Sequence, residues 1–265
     1  MRPLVQPDDG LTLPWHKPRD SMHRMRRSHA RVEAFTVEPI GRTAARLSCR
    51  PPAVPAPGQA SLALLPGSGA ALRRTLFPVQ CNTDGFVTDQ PPAPDWRLGA
   101  GIELLGPIGH GFCPPATAKR WLLATLDCPA DRLLGLVDQG VARGAAVSLW
   151  SSQPPPALPP QVEVTTDLAE ALAWADYLAL DLLPESLPHL RRRLAILLTA
   201  RRRPGTEVGS LDAWELPLPP TAQALIGHEM PCGIGVCGAC AVKARRGWKL
   251  TCVDGPVFDL RELEW

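Results

Sequence analysis

Between residues 31 and 112 apolar and polar positions alternate in short runs, each ended by Gly, Pro, Asn or Asp. ARVEAFTVEPI (30–40), AARLSC (44–49), QASLALLP (59–66), FPVQC (77–81), GFVTDQ (85–90) and GIELLGPIG (101–109) each read as a strand. Short strands at close spacing with turn signals between them predict a small antiparallel barrel or sandwich. The pattern changes after Pro115. RWLLATLDC (120–128), AAVSLW (145–150) and YLALDLL (177–183) are unbroken apolar runs, as expected of strands buried on both faces. Helical spacing marks 129–144, 167–175 with Asp167 as its cap, and 187–203, and WELPLP (214–219) reads as a final strand. Strands alternating with helices predict a doubly wound parallel sheet. The expected fold is therefore α/β plus all-β: an antiparallel β-barrel, then a doubly wound parallel sheet, then a small C-terminal domain.

Composition refines this picture at a few points. A length of 265 residues with 45% apolar content supports more than one core. The net charge of +2 gives no reason to expect nucleic acid or an acidic membrane as partner. No apolar run approaches the ~20 residues of a membrane helix, and the first twenty residues lack the apolar core of a signal peptide. These features predict a cytoplasmic protein. Residues 1–30, rich in Arg and His, read as a flexible extension. The remaining divisions are expected at 31–114 for the barrel, 115–220 for the α/β domain and 221–265 for the C-terminal domain.

The C-terminal domain carries the chemistry. Four of eight cysteines, Cys232, Cys237, Cys240 and Cys252, have the spacing C-x4-C-x2-C-x11-C. The first three match the plant-type spacing for a two-iron two-sulfur cluster, with a fourth cysteine following at a distance. Soft thiolates suit iron, and Gly233, Gly235 and Gly238 allow a loop to turn tightly and bring amides to sulfur. Structural zinc would show two separated C-x2-C pairs, and disulfides are improbable in a cytosolic chain. Cys49, Cys81, Cys113 and Cys128 are scattered, and read as small buried side chains. The arginine runs 191–193 and 201–203 read as a solvated face more readily than as an acidic-partner site. No nucleophile-and-base constellation stands out.

CGIGVCGAC followed by CVDGPVF resembles the cluster domain of the dihydroorotate dehydrogenase electron transfer subunit family, in the ferredoxin reductase superfamily. GPIGHGF (106–112) and Pro57-Gly58-Gln59 resemble further segments of that family. The resemblance implies FAD in the barrel, electron exchange with a nicotinamide, and a catalytic redox partner of the dihydroorotate dehydrogenase type. It makes Arg74, Thr75, Gly106, Gly109 and Gly111 candidate flavin contacts. The sequence also departs from the family. Its flavin motif, close to R-P-x-S, is replaced by Arg74-Thr75-Leu76-Phe77, and a phenyl ring stands at the serine position. The glycine loop after the first parallel strand is replaced by Thr125-Leu126-Asp127-Cys128-Pro129-Ala130-Asp131, where proline lacks an amide and two carboxylates would repel phosphate. NAD(P) is not expected to bind. Two readings follow: an electron-transfer protein serving a partner, or a non-catalytic paralogue whose cluster serves sensing, assembly or structural support.

Overall fold

A computed structural model describes residues 26–37, 43–155, 157–199 and 218–265. The N-terminal half is one antiparallel sheet: β1 (Arg26–Val37), β2 (Thr43–Cys49), β3 (Ala60–Leu64), β4 (Arg74–Leu76), β5 (Pro78–Asn82), β6 (Gly85–Thr88) and β7 (Gly101–Ile108). The spatial order is β4-β3-β7-β1-β2-β6-β5. Its edge strands, β4 and β5, are separated in sequence by Phe77 alone, so the sheet curls until its edges meet at that residue. The alternation seen in the sequence sets the inner face: Ala30 pairs with Ile102 and Leu47 with Phe86, all buried. A register shift between Val32 and Ala34 lets β1 bend within the curl.

The first strand begins earlier than expected. Arg26–Ala30, assigned to the flexible extension, pair with β7 from Arg26 opposite Gly106 onward. Their polar sequence hid them, since a strand whose Arg27 side chain ion-pairs with Glu103 shows no apolar alternation. The rest of the extension, 1–25, lies outside the described residues.

The second half contains β8 (Arg120–Leu126), α1 (Leu134–Ala142), β9 (Ala146–Trp150), β10 (Val162–Val164), α2 (Leu168–Trp174), β11 (Tyr177–Leu182), α3 (Leu190–Thr199) and β12 (Thr221–Ile226). A C-terminal unit follows with β13 (Ala241–Ala244), β14 (Gly247–Leu250), α4 (Thr251–Asp254) and β15 (Val257–Asp259). The main sheet runs β10-β9-β8-β11-β12-β15, parallel except for β15. Odd positions of β8, Trp121 and Leu123, pack with Leu133, Leu136 and Val137 on the α1 side. Even positions, Leu122, Ala124 and Leu126, pack with Leu168, Leu172 and Leu190 on the α2 and α3 side. Both faces are covered, which is why these strands read as unbroken apolar runs. The chain leaves β8 in opposite directions toward β9 and β11, so the sheet is doubly wound. Asp167 caps α2 as expected, accepting from the amides of Ala169 and Glu170 at 3.1 Å each.

The last parallel strand corrects the sequence reading. Among the described residues it is Thr221–Ile226, within the stretch assigned to the C-terminal domain; most of the expected WELPLP strand falls outside them. Residues 214–217 lie outside the described residues, and Leu218 and Pro219 are not in a strand. Gln223 gave β12 a polar look, but its carbonyl is occupied by the Tyr177 hydroxyl at 2.8 Å and the Cys113 amide at 2.9 Å. The expected helices are also shorter: a tight turn at Asp131–Leu133 precedes α1, and another at Pro184–His189 precedes α3. Among the described residues no helix is long and apolar enough to cross a membrane. Of the scattered cysteines only Cys128 is buried; Cys49 is half-buried, while Cys81 and Cys113 are exposed, against expectation.

Candidate metal centre

The cysteine segment leaves β12 and forms an irregular loop before β13. Gly233, Gly235 and Gly238 hold φ of 67°, 79° and 69°, a region that side chains rarely occupy. At Gly235 space is also lacking, since a Cβ there would lie 2.7 Å from Val253 Cγ2. The loop brings Cys240 Sγ to 3.4 Å from Cys252 Sγ, which arrives on α4. Cys240 and Cys252 are buried, Cys232 is half-buried and Cys237 is exposed. Cys232 in turn interacts with Cys237 through its sulfur and lies close enough to Cys252 to disfavour its ionisation.

Backbone amides point at these sulfurs. Burial pushes the Cys232 thiol up, but the amides of Ile234, Cys237 and Val236 outweigh it and bring it down to about 7. A hydrogen bond from Cys252 is the main cause that lowers Cys240 to about 5. The same bond, with burial, raises Cys252, despite the Gly235 amide that donates to its sulfur. A bound cation would favour the thiolate form of both sulfurs. Among the described residues the structure brings together the sulfurs of Cys240 and Cys252 but places no group of three or more donors around one metal position; the soft donor types and the amide-lined loop are those an iron–sulfur centre uses.

The barrel and sheet hold this loop from behind. Leu62, Phe77, Leu225, Met230, Cys240 and Cys252 share one apolar core. The Thr75 hydroxyl accepts the Met230 amide at 2.9 Å in a buried setting. Thr75→Val keeps the shape and orphans that amide. We expect a loss of about 1–3 kcal/mol and faster release of bound iron, read by thermal unfolding and by chelator competition.

The other candidate flavin contacts are dispersed. Arg74 reaches Gln90 at 3.2 Å. Gly106 sits at the end of β7, where a Cβ would lie 3.1 Å from Ser61 Oγ. Gly109 and Gly111 build a seam with the C-terminal unit. The His110 amide donates to Gly255 O at 2.5 Å, and the Phe112 amide to Pro57 O at 2.9 Å. A Cβ on Gly109 would lie 2.0 Å from Gly255 O. Three of the segments that carried the family resemblance, 57–59, 106–112 and CVDGPVF (252–258), therefore pack on one another.

The cleft between barrel and sheet lies at the carboxyl ends of β8, β11 and β12, where sheets of this kind bind nucleotides. Its centre is Arg132. The guanidinium donates to Asp181 through Nε at 2.9 Å and Nη2 at 2.6 Å. It lies 5.3 Å from the centroid of the Phe77 ring. A Cβ on Gly227 would fall 1.9 Å from Arg132 Nη1, so the arginine fills the space that glycine leaves open. Asp89 accepts the Phe77 amide at 2.8 Å and faces the same guanidinium. Nearby, Asp127 holds φ 62° and accepts from Ser186 Oγ at 2.9 Å and from Arg193. These groups fit one another and do not fit a flavin ring or a pyrophosphate. Sequence reading missed Arg132, Asp181, Asp89 and Met230. One signal was available: an aspartate inside the apolar run YLALDLL needs a buried partner.

Burial pushes the Asp89 carboxyl from 3.8 up to about 6, against the pull of Arg132 and the Phe77 amide. A raised carboxyl contributes stability below its unfolded value and loses it as pH rises through the folded one, here about 3 kcal/mol between roughly pH 4 and 6. Asn mimics the protonated form. Asp89→Asn is therefore expected to match the parent near pH 4 and exceed it by about 2–3 kcal/mol above pH 7, measured by unfolding at both pH values.

The family described as the iron–sulfur cluster binding domain of dihydroorotate dehydrogenase B matches residues 228–264. Proteins of Thermotoga petrophila and Thermotoga maritima, each described as a dihydroorotate dehydrogenase B (NAD(+)) electron transfer subunit, are 53% identical over 36 residues. That stretch is 14% of this chain and 17% of the relatives' own length. Among solved structures, an NADH-dependent reduced ferredoxin–NADP oxidoreductase is similar over 89% of this chain and 90% of its own, with TM-score 0.53 and 17% identity. The ferredoxin reductase of carbazole 1,9a-dioxygenase is similar over 66% and 65%, with TM-score 0.50 and 16% identity. At such identities the likeness is one of fold. Residues 228–264 thus match the iron–sulfur cluster binding domain of dihydroorotate dehydrogenase B, in a chain whose overall fold is similar to that of the ferredoxin reductases.

Proposed function

We propose that Cys232, Cys237, Cys240 and Cys252 hold a two-iron two-sulfur cluster, and that the chain passes single electrons between a redox donor and a partner protein. The observation that carries this reading is the cysteine spacing within the stretch matching a cluster-binding family, with Cys240 and Cys252 sulfurs 3.4 Å apart behind the amide-lined loop. Such a cluster, when bound, supplies a one-electron acceptor and donor. The chain's own residues do the rest. The amides of Ile234, Gly235, Val236 and Cys237 stabilise negative charge at sulfur, which favours the reduced state. The core of Leu62, Phe77 and Met230 keeps water from the inner sulfurs. The curated relatives are described as electron transfer subunits, which supports a catalytic partner of the dihydroorotate dehydrogenase type.

Potentiometric titration of the anaerobically purified protein tests the role. Reversible bleaching of the visible bands along a one-electron curve supports it. Irreversible loss of colour on the first reduction would contradict it and favour the second reading, a cluster kept for sensing or support. The filled cleft is the observation on that second side.

A further inference from the structure

At the carboxyl ends of β8, β11 and β12, where sheets of this kind bind nucleotides, four separate elements fill the space. Phe77 enters from the junction of β4 and β5. Arg132 enters from the turn after β8, Asp181 from β11, and Gly227 lies just beyond the end of β12. They converge on one guanidinium: a bidentate ion pair, a ring face at 5.3 Å, and a glycine whose missing Cβ leaves room for Nη1. Asp181 is fully buried and Arg132 nearly so. Displacing Arg132 to admit a ring would leave the Asp181 carboxylate buried without its partner, a state that proteins avoid. Phosphate fares no better, because the turn after β8 offers Asp127, already engaged with Ser186 and Arg193, and Pro129, which has no amide.

We infer that this cleft has been rebuilt as a closed ionic core, so that the chain takes neither flavin nor nicotinamide and exchanges electrons only with one-electron carriers. The inference about donors rests on the proposed cluster; the inference about flavin does not. Electron access follows from exposure. Cys240 and Cys252 are sealed behind Phe77 and Met230, whereas Cys237 is exposed and Val236 beside it is 76% exposed. Electrons therefore enter and leave through the outer face of the loop. A cluster held there would gain one electron as the reduced carrier lost one, with no proton or hydride moved. NADH delivers a hydride, a two-electron step that needs a flavin to divide it.

The test uses the purified holoprotein, with iron and sulfide quantified on the same sample. It is incubated with FAD or FMN, desalted, and assayed for flavin after acid release, with thermal unfolding recorded in parallel. The expected result is no retained flavin and no rise in melting temperature, since a ligand of the folded state would raise it. Stoichiometric flavin or a flavin-dependent rise would overturn the closed cleft, whatever the iron content. The second arm mixes the iron-loaded protein with NADH plus FAD, or with a reduced ferredoxin as one-electron donor. Reduction by ferredoxin alone is expected; rapid reduction by NADH would overturn the inference. A sample without iron would refute the cluster reading, while its flavin result would still decide the cleft.

Discussion

Replacing Cys240 with serine is expected to strip the protein of nearly all its iron and acid-labile sulfide. Cys240 is 1% exposed, and its sulfur lies 3.4 Å from that of Cys252. Serine offers a harder donor with a far higher pKa, at a buried position without room for water to compensate. The loss extends to stability, because binding energy at a structural centre is also folding energy. Cys113→Ser provides the control. That thiol is exposed and remote from the loop in sequence, so iron content and melting temperature should stay at the parent values. Elemental analysis of both variants checks the prediction, and full iron in Cys240→Ser would remove that residue from the ligand set.

Arg132→Ala is expected to cost about 3–5 kcal/mol, or roughly 10 °C in melting temperature. The cost comes from Asp181, which is 0% exposed and would keep its charge without a counter-ion or take up a proton. Asp181 already sits above the usual carboxylate range, pushed by burial and held down only by Arg132 and lesser contacts. The double variant Arg132→Met with Asp181→Leu removes both charges and fills the volume, and should recover most of the loss. A penalty as large in the double variant as in Arg132→Ala would show that packing, not charge, holds the cleft. Thermal unfolding of the three proteins at one pH decides between these outcomes.

The legible parts of the molecule were those whose signal is local. C-x4-C-x2-C-x11-C proposes a donor set by its spacing, and the loop glycines announce themselves because few other residues fit φ near 70°. The apolar runs of β8, β9 and β11 were readable because burial on both faces leaves no polar position to confuse the pattern. The β12 strand was not, since Thr221 and Gln223 look like loop residues until Tyr177 and the Cys113 amide are seen to satisfy Gln223. Arg26–Ala30 hid for a similar reason, as an edge of polar side chains paired across to β7. The cleft was the least legible element. Phe77, Arg132, Asp181 and Gly227 come from distant parts of the chain, and their meeting depends on tertiary geometry. Phe77 at the serine position and the proline-bearing turn in place of the glycine loop were visible in the sequence, but the convergence of Phe77, Arg132 and Asp181 was not.

The most direct test of the central claim is electron paramagnetic resonance of the anaerobically purified protein, before and after reduction with dithionite. The account predicts a silent oxidised sample and a reduced sample with one unpaired spin per chain, the signature of a two-iron two-sulfur centre that has accepted a single electron. A protein that stays silent after reduction and carries zinc in place of iron would contradict it.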